Sequence, residues 1–473
     1  MEQAAAPATK ERVDRQAWRA LLLASSTSMV VGLAVTAVNV AFPAIEHDFA
    51  GTSRSTLSWG LTGYSIALAS LMLIGGRMAD RLGRRRILRV GLAVFFIASI
   101  ALAVASAAWM FVAARLGQAV GASLAGPASL TLVIEQFPMS RRLTAISTWA
   151  GLGSLGAAIG PSFSAIVTQQ LGWRWIFILP LVAILACFVL APRWLPEGAP
   201  THASTARVDL LGSAMGTIGV GLIAATITEG PRLGWTHPGI VLCAVGAFVL
   251  LPLFVHRSRR HPEPLLDVGL FSLPTVKAVN AVNIALTAAG TASWLLYPLL
   301  LVQHWHYSLL RTGFALTPFP IVSSVTGVVA SRYAERLGTR RVIGYGALLP
   351  ALGMLWQVVR LDGDANYFFG ILPGAVLFNV GFGIVYSPIT ALALRSIDGS
   401  QLGQATAAFN ALRQLGAGLG VATVIAIMGN ADVIPIASFH NALIAVALMA
   451  LGGGLVVVTA LRVPSEFRTG WRR

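Results

Sequence analysis

Apolar residues run through this chain in long blocks rather than in narrow stripes. A helix needs about 20 mostly apolar residues to cross a bilayer. Fourteen blocks approach or exceed that length: 20–43, 57–77, 87–107, 109–135, 143–168, 174–194, 209–229, 238–256, 275–303, 311–331, 341–360, 367–394, 404–429 and 440–462. They lack the period-two alternation of a membrane β-strand, so a barrel is rejected. The fold class that follows is all-α and integral to a membrane. Charged residues (Lys10, Glu11, Arg12, Asp14, Arg15, Arg19) precede the first block. No small-residue cleavage site follows a short apolar core, so that block reads as an uncleaved span.

Composition agrees. The chain is 56% hydrophobic and 11% charged, with a formal net charge of +16, and its mean hydropathy is +0.75. In a soluble protein such a charge would suggest nucleic acid. The positions of the arginines and lysines give another account. With the N-terminus in the cytoplasm, 27 of the 34 fall in inside segments and 5 outside, at Arg54, Arg174, Arg232, Arg311 and Arg360. Two, Arg115 and Arg413, lie within spans, away from the block ends at or beyond which the others stand. This is the positive-inside pattern. It predicts fourteen helices in a cell (inner) membrane with both termini cytoplasmic, and it removes nucleic acid as a partner. Cys187 and Cys243 sit in apolar runs, so neither a disulfide framework nor a metal site is expected.

The chain also repeats itself. "GRMADRLGRRR" (76–86) returns as "SRYAERLGTRR" (331–341), 255 residues on. Asp80 becomes Glu335, Gly83 becomes Gly338, and Arg85/Arg86 become Arg340/Arg341. "LGSLGAAIGP" (152–161) matches "LRQLGAGLGV" (412–421) at an offset of 260, and "GPASLTLV" (126–133) echoes "SPITALAL" (387–394) at 261. The domains predicted are a six-helix bundle (1–198), a two-helix insertion (199–262) and a second six-helix bundle (263–473). Two parallel halves around a substrate path are a transporter architecture.

The motifs resemble the major facilitator superfamily, in its fourteen-helix drug:proton antiporter branch. "GRMADRLGRRR" resembles the family's motif between the second and third spans, with Gly76, Asp80, Arg81, Gly83, Arg84 and Arg85 in place. "RLGQAVGASLAGPASL" (115–130) resembles its fourth-span motif, with Arg115, Gln118 and Gly121. "GAAIGPSFSA" (156–165) resembles the fifth-span antiporter motif, with Gly156, Gly160 and Pro161; Ser164 and Ala165 replace a closing glycine pair. "GWRWIF" (172–177) and "NALRQLGAGLG" (410–420) also fit. "TAVNVAFP" (36–43) resembles the first-span motif, except that Ala34 stands where the pattern has aspartate.

Each motif suggests a role. A carboxylate at a helix end pairs with arginine and favours a neighbouring helix N-terminus. The resemblance makes Asp80 a conformational latch facing the start of the thirteenth span near Gln404, with Gly76 and Gly83 allowing close approach; a solvated loop that only sets topology is the alternative. Arg115 and Arg413 are intramembrane charges, functional by default. The resemblance ties Arg115, with Gln118, to proton coupling; hydrogen bonds to a carbonyl or Gln, or helix packing for Arg413, are the alternatives. Gly151, Gly153 and Gly156 spell G-x-G-x-x-G, but no strand precedes them and no acid follows at the required distance, so a dinucleotide site is rejected. Gly156 and Gly160 share a helix face and allow close packing, and Pro161 bends the helix. The resemblance makes them an antiporter gate.

A proton-driven carrier needs an acid that changes its proton affinity between the two sides. With Ala34 in the first span, the remaining acids are Glu135, Asp209 and Glu229, and Glu135 is the best candidate; pairing with Arg141 or Arg142 is its bland alternative. His304 and His306 lie at the outer end of the ninth span, where interfacial solvation accounts for them. Trp59, Tyr64, Trp149, Trp294, Tyr297 and Phe409 could line a cavity, although aromatics more often pack or anchor, Trp59 above all.

The expected function is proton-coupled efflux of amphipathic small molecules or drugs by alternating access. Small-molecule substrate, protons and the lipid bilayer are the expected partners. A same-fold carrier for one metabolite or lipid is the alternative, which the missing first-span acid favours. Two buried arginines suit anionic, zwitterionic or neutral substrates better than cations. A membrane enzyme would need a polar cluster that the sequence does not offer. No G-x-x-x-x-G-K loop is present, and no cofactor is expected.

Overall fold

The computed structural model describes residues 14–138, 141–195, 209–261, 268–337, 339–361, 366–395, 402–429 and 434–461. Gly338 and the side chains of Asp80, Arg142, Glu335, Arg340, Arg341 and Gln404 lie outside the described residues. The described chain is helical, without a strand. In order it forms α1 (Arg15–Asp48), α2 (Arg54–Leu82), α3 (Arg84–Ala103), α4 (Ala108–Gln136), α5 (Arg142–Leu171), α6 (Trp175–Ile178) and α7 (Leu181–Trp194). Then come α8 (Leu210–Leu233), α9 (Pro238–Arg260), α10 (Pro274–Leu299), α11 (Leu309–Leu316), α12 (Pro318–Leu337), α13 (Thr339–Gly346) and α14 (Leu349–Arg360). Last are α15 (Leu372–Arg395), α16 (Leu402–Met428) and α17 (Ile436–Ala460).

Among the described residues twelve helices are long and apolar enough to cross a membrane. The helices α2 and α8, of 29 and 24 residues, are not among those twelve. Three apolar blocks are interrupted, each beside a proline, whose missing N–H breaks the ladder. Pro180 stands between α6 and α7, α12 starts at Pro318, and Pro350 is the second residue of α14. Beyond Pro298 the end of α10 widens into a π-helical turn, Leu300–His304.

Two sets of helices pack alike. α1 lies on α5, while α4 takes α2 on one side and α3 on the other; α10 lies on α16, while α15 takes α12 and α14. The likeness extends to single atoms. A Cβ on Gly156 would meet the Met29 carbonyl, and one on Gly416 would meet the Ile284 carbonyl at 2.6 Å. Thr36 donates its hydroxyl to the Ala157 carbonyl at 3.0 Å, and Thr291 donates to the Ala417 carbonyl at 3.1 Å. A Cβ on Gly121 would lie 2.7 Å from the Gly91 carbonyl, and one on Gly381 would lie 2.9 Å from the Gly346 carbonyl. All are related by the offsets of 255 and 260 read in the sequence.

The α8–α9 hairpin stands outside both sets, with α8 against α2 and α16. Asp209 caps α8 by accepting from the Gly212 N–H at 2.8 Å, and it pairs with Arg257 of α9 at 2.8 Å. Burial pushes the Asp209 carboxyl up, but the hydrogen bonds from Arg257 and Gly212 outweigh it and hold the group below the usual carboxylate range. The outer face of α9 is apolar and open, with Leu242 70% and Phe248 81% exposed. An acyl-chain environment accounts for such a surface.

The core is not uniform along the bundle. At the end remote from the α2–α3 turn, one continuous cluster joins Phe42, Ile45, Phe111 and Trp173 to Leu296, Phe319, Val424 and Phe439. Toward the α2–α3 turn it divides. Leu23, Tyr64, Leu92 and Leu132 form one cluster, while Leu286, Ile389, Phe409 and Val457 form another. The two sets are thus joined at the far end and have separate cores at the basic end.

If the two glycine crossings are equivalent, Gly156→Leu and Gly416→Leu should do similar damage. Each drives a side chain into a facing carbonyl, an overpacking of about 1–3 kcal/mol or more. The thermal midpoint in detergent should fall comparably in both; a large drop in one and none in the other would refute the equivalence.

Candidate functional site

The α2–α3 turn is built around Gly83, whose φ of +94° suits a residue without a Cβ. Arg81 is exposed in the last turn of α2, where a cation favours the helix dipole. Arg84 pairs with Glu135 at the end of α4. Arg85 donates to the carbonyls of Pro192 and Leu195, at 3.2 and 3.0 Å, and so holds the end of α7. Glu135 is engaged by Arg84, and the Arg142 side chain lies outside the described residues. One expectation changes here. The close approach of α2 to α4 is made at Gly75, whose Cβ would collide with the Ser123 carbonyl, while Gly76 meets only Pro127 at 3.7 Å. The Asp80 and Gln404 side chains lie outside the described residues, so the latch contact itself is not described.

Arg115 is fully buried on α4. Its Nε donates to the Gly60 carbonyl at 2.9 Å, and one terminal nitrogen donates to Gln118 Oε1 at 2.7 Å and to the Ala34 carbonyl at 3.5 Å. Its guanidinium lies over the Tyr64 ring, 4.1 Å from the centroid. Gln118 passes the chain on to Ser99 at 2.7 Å. Arg115 and Gln118 are therefore brought together, and they tie α4 to α1, α2 and α3. Carbonyls, an amide and an aromatic face form the shell; no described carboxylate does. Glu135 lies at the end of the helix, apart from this cluster. Arg413 lies on α16, partly buried, and has no hydrogen bond or ion pair among the described residues.

The fifth-span motif is a helix crossing. Gly153, Gly156 and Gly160 face Ser28, Met29 and Thr36 of α1, each too close for a Cβ. Pro161 has no N–H for the Ala157 carbonyl one turn earlier. Thr36 supplies the missing donor from α1. Ser164 donates to the Ala37 carbonyl at 2.6 Å on the same seam. The opposite face of α5 meets α11, where Gly313 packs on Ala165 and Pro161, and Ser162 bonds Thr317.

These observations describe an all-helical, twice-repeated bundle with its motifs at helix crossings. The Major Facilitator Superfamily model matches residues 24–421 and 279–471.

The chain belongs to the major facilitator superfamily.

It is accordingly a multi-pass membrane transporter rather than an enzyme. It is similar to the cephamycin export protein CmcT of Amycolatopsis lactamdurans, 29% identical over 420 residues, covering 87% of this chain and 85% of that one. It is 31% identical over 415 residues to the puromycin resistance protein pur8 of Streptomyces alboniger, covering 86% and 81%. In fold it resembles an auto-inhibited POT family peptide transporter, with a TM-score of 0.69 at 16% identity over 96% of this chain and 98% of that one. A bacterial homolog of the human lysosomal transporter Spinster, inward-facing and unoccupied, gives 0.68 at 12% identity, over 96% and 99%.

In this superfamily member the far end carries a polar bridge that sequence reasoning missed. Arg54 of α2 pairs with Glu46 of α1 at 2.5 Å. It also donates to the Gly429 carbonyl at 3.0 Å and to Gln303 Oε1 at 3.4 Å, and Gln303 returns a bond to Glu46 at 2.8 Å. Both charged side chains are largely buried, at 7% and 13% exposed. The bridge joins the ends of α1 and α2 to the chain after α10 and after α16. The only signal was an acid and an arginine eight residues apart across a turn, which reads as loop. Nearby, Trp173 and Arg174 of the "GWRWIF" motif both donate to Asp48, at 3.1 and 2.6 Å.

The remaining candidates disperse. Trp59 donates to Glu229 at 3.3 Å and so fastens α2 to α8, a helix–helix tie in place of the expected anchor. Glu229 also pairs with Arg232. Trp149 donates to Ser129 at 3.3 Å, and Tyr297 is buried and accepts from Gln357 at 3.0 Å. Trp294 packs partly buried against the far-end core. His304 lies 5.7 Å from the Phe439 ring, and His306 takes a left-handed φ of 54° in the following turn.

The proline gives an asymmetric test of the seam. Thr36→Val leaves the Ala157 carbonyl without either donor, a loss of about 1–3 kcal/mol. Thr291→Val should cost less, because Val421 still has an N–H for the Ala417 carbonyl. Unfolding midpoints in detergent should rank Thr36→Val clearly below Thr291→Val; equal midpoints would remove the hydroxyl from this role.

Proposed function

We propose that this chain is a proton-coupled exporter of amphipathic small molecules, working by alternating access in a cell membrane. Two six-helix bundles (1–198 and 263–473) rock against each other, and the pair within 199–262 rides between them. The helical lengths of α2 and α8 support fourteen spans. The arginine bias supports a basic end, and both termini, on the cytoplasmic side. The names of the relatives, an export protein and an antibiotic resistance protein, support outward transport.

The observation that carries the reading is the uneven core: continuous at the far end, divided at the basic end. A carrier closed outside and open to the cytoplasm has this form. In the reading, Glu46, Arg54, Gln303 and Gly429 clasp the outer end. The loop of Gly76, Asp80, Arg81, Gly83, Arg84 and Arg85 closes the cytoplasmic end in the opposite state, with Asp80 meeting the start of α16. Arg115 and Gln118 keep α4 rigid on its neighbours, and the α5 seam at Gly156, Gly160 and Pro161 is the gate that resists leak. Glu135 is the exchangeable acid, since its protonation would release Arg84. The Ala34 carbonyl beside Arg115, where the family pattern has a carboxylate, favours a second reading: a carrier of one metabolite or lipid without that coupling acid.

Flux of a fluorescent amphipath into everted vesicles tests the coupling. Accumulation should collapse when the proton gradient is dissipated, and Glu135→Gln should lose its pH dependence. Transport indifferent to the gradient would overturn the antiport reading.

The outer clasp has its own readout. Glu46→Gln removes the ion pair and leaves Arg54 poorly matched in a buried place. Spin labels on the α1–α2 and α10–α11 turns should report a shift toward longer distances relative to wild type. An unchanged distribution would mean that the bridge does not hold the outer end shut.

A further inference from the structure

Two arginines lie within the spans, and their surroundings differ. Arg115 is enclosed by carbonyls, Gln118 and the Tyr64 ring. Arg413 is partly buried and has no hydrogen bond, ion pair or ring partner among the described residues. An arginine held in a membrane interior needs an anion or a polar shell. The acids described inside the bundle are all engaged elsewhere: Glu46 by Arg54, Asp48 by Arg174, Glu135 by Arg84, Asp209 by Arg257 and Glu229 by Arg232.

One helical turn before Arg413 on α16, Phe409 ends an aromatic ladder. On α15, Phe378 stacks on Phe382 (6.2 Å, 21°) and Phe382 on Tyr386 (4.9 Å, 10°). Tyr386 then meets Phe409 of α16 at 6.5 Å. Phe382 and Tyr386 are partly buried, with surface left open. Arg413 is one turn from Phe409 on the same face of α16. The two helices run in opposite directions, so Phe382 and Arg413 each lie one turn toward the far end from the Tyr386–Phe409 contact. Phe409 belongs to the cluster that parts from its counterpart at the basic end.

The repeat supplies an internal control. At the offset of 260, Phe378 and Phe382 correspond to Gln118 and Ala122, and Arg413 corresponds to Gly153; at the neighbouring offset of 261, Tyr386 corresponds to Ala125. The same scaffold is built in the first half without the ladder and without the cation. The shared plan of the bundle therefore does not by itself dictate these side chains, although Phe378 and Phe409 also serve the core.

We propose that Arg413 and the Phe382–Tyr386–Phe409 ladder bind a planar aromatic anion, a polycyclic carboxylate, sulfonate or phenolate. The ring extends the stack, and the charge sits on the guanidinium. The inference rests on the transport reading for its purpose, but binding is measurable without flux. The intact protein in nanodiscs is titrated with anthraquinone-2-sulfonate, followed by tryptophan quenching, with empty nanodiscs as the partition control. Neutral 2-methylanthraquinone is the comparator. Saturable binding of the sulfonate is expected. Arg413→Gln should weaken it by about tenfold or more, as loss of a charge-assisted contact does, and leave the neutral comparator unchanged. Arg413→Lys should recover part of the affinity, which a folding defect would not allow. Tyr386→Leu should weaken both ligands. Sulfonate affinity unchanged in Arg413→Gln, or both ligands unaffected by Tyr386→Leu, overturns the proposal. Arg413-dependent binding without gradient-driven flux would sink the antiport reading and leave this site standing.

Discussion

Helices in a bilayer are not pressed together by water, since lipid tails are as apolar as their side chains. Association rests on close packing and on hydrogen bonds between helices. That constraint sets the whole architecture here. Gly156 lies against the Met29 carbonyl, Gly416 against Ile284, Gly121 against Gly91 and Gly381 against Gly346. Where backbones approach so closely, a threonine hydroxyl can cross the gap, as Thr36 and Thr291 do. The seam can then carry a proline, because Thr36 replaces the donor that Pro161 lacks. The motif that looks like a gate is first a solution to backbone satisfaction in lipid.

Much of this was legible in the sequence because it depends on composition over long stretches. Apolar blocks located the helices to within a few residues, and the repeat anticipated which crossings would match. Prolines at 180, 318 and 350 account for the interruptions that block length alone cannot reveal. What sequence hid were pairings between distant residues. Glu46 and Arg54 read as a short loop, because Gln303 and Gly429, which make them a bridge, lie some 250 residues or more downstream. Arg84 pairs with Glu135 across 51 residues of chain, a partner that nearness in sequence does not suggest. Gly75 and Gly76 cannot be ranked until the facing helix is in place.

The ion pairs divide by position. Arg84–Glu135 and Asp209–Arg257 tie neighbouring helices toward the basic end. Glu46–Arg54 lies where the undivided core is, and its remaining hydrogen bonds reach Gln303 and Gly429 of the second set. A buried pair of this kind adds little net stability against an apolar replacement, because desolvation offsets attraction. It does punish separation, since an opened bridge leaves charges and carbonyls in search of partners. Such a bridge suits a contact that must be either fully made or fully replaced by water.

The repeat also separates scaffold from chemistry. Glycines and the threonine hydroxyls recur in both halves, because any bundle of this plan needs them. The arginines within the spans and their polar neighbours do not recur. Arg115 and Gln118 answer to Ala375 and Phe378, Tyr64 to Phe319, and Arg413 to Gly153. A symmetric pair of bundles would offer a bound molecule two equivalent walls. These walls differ: one has a cation sealed inside it, and the other has a cation and an aromatic stack with surface open. On the proposed binding site, a solute between them would be held by the second half's side chains, with the first half as a stiff counter-surface. Substitutions in the ladder would then change what is bound without loosening the glycine and threonine crossings that both halves share.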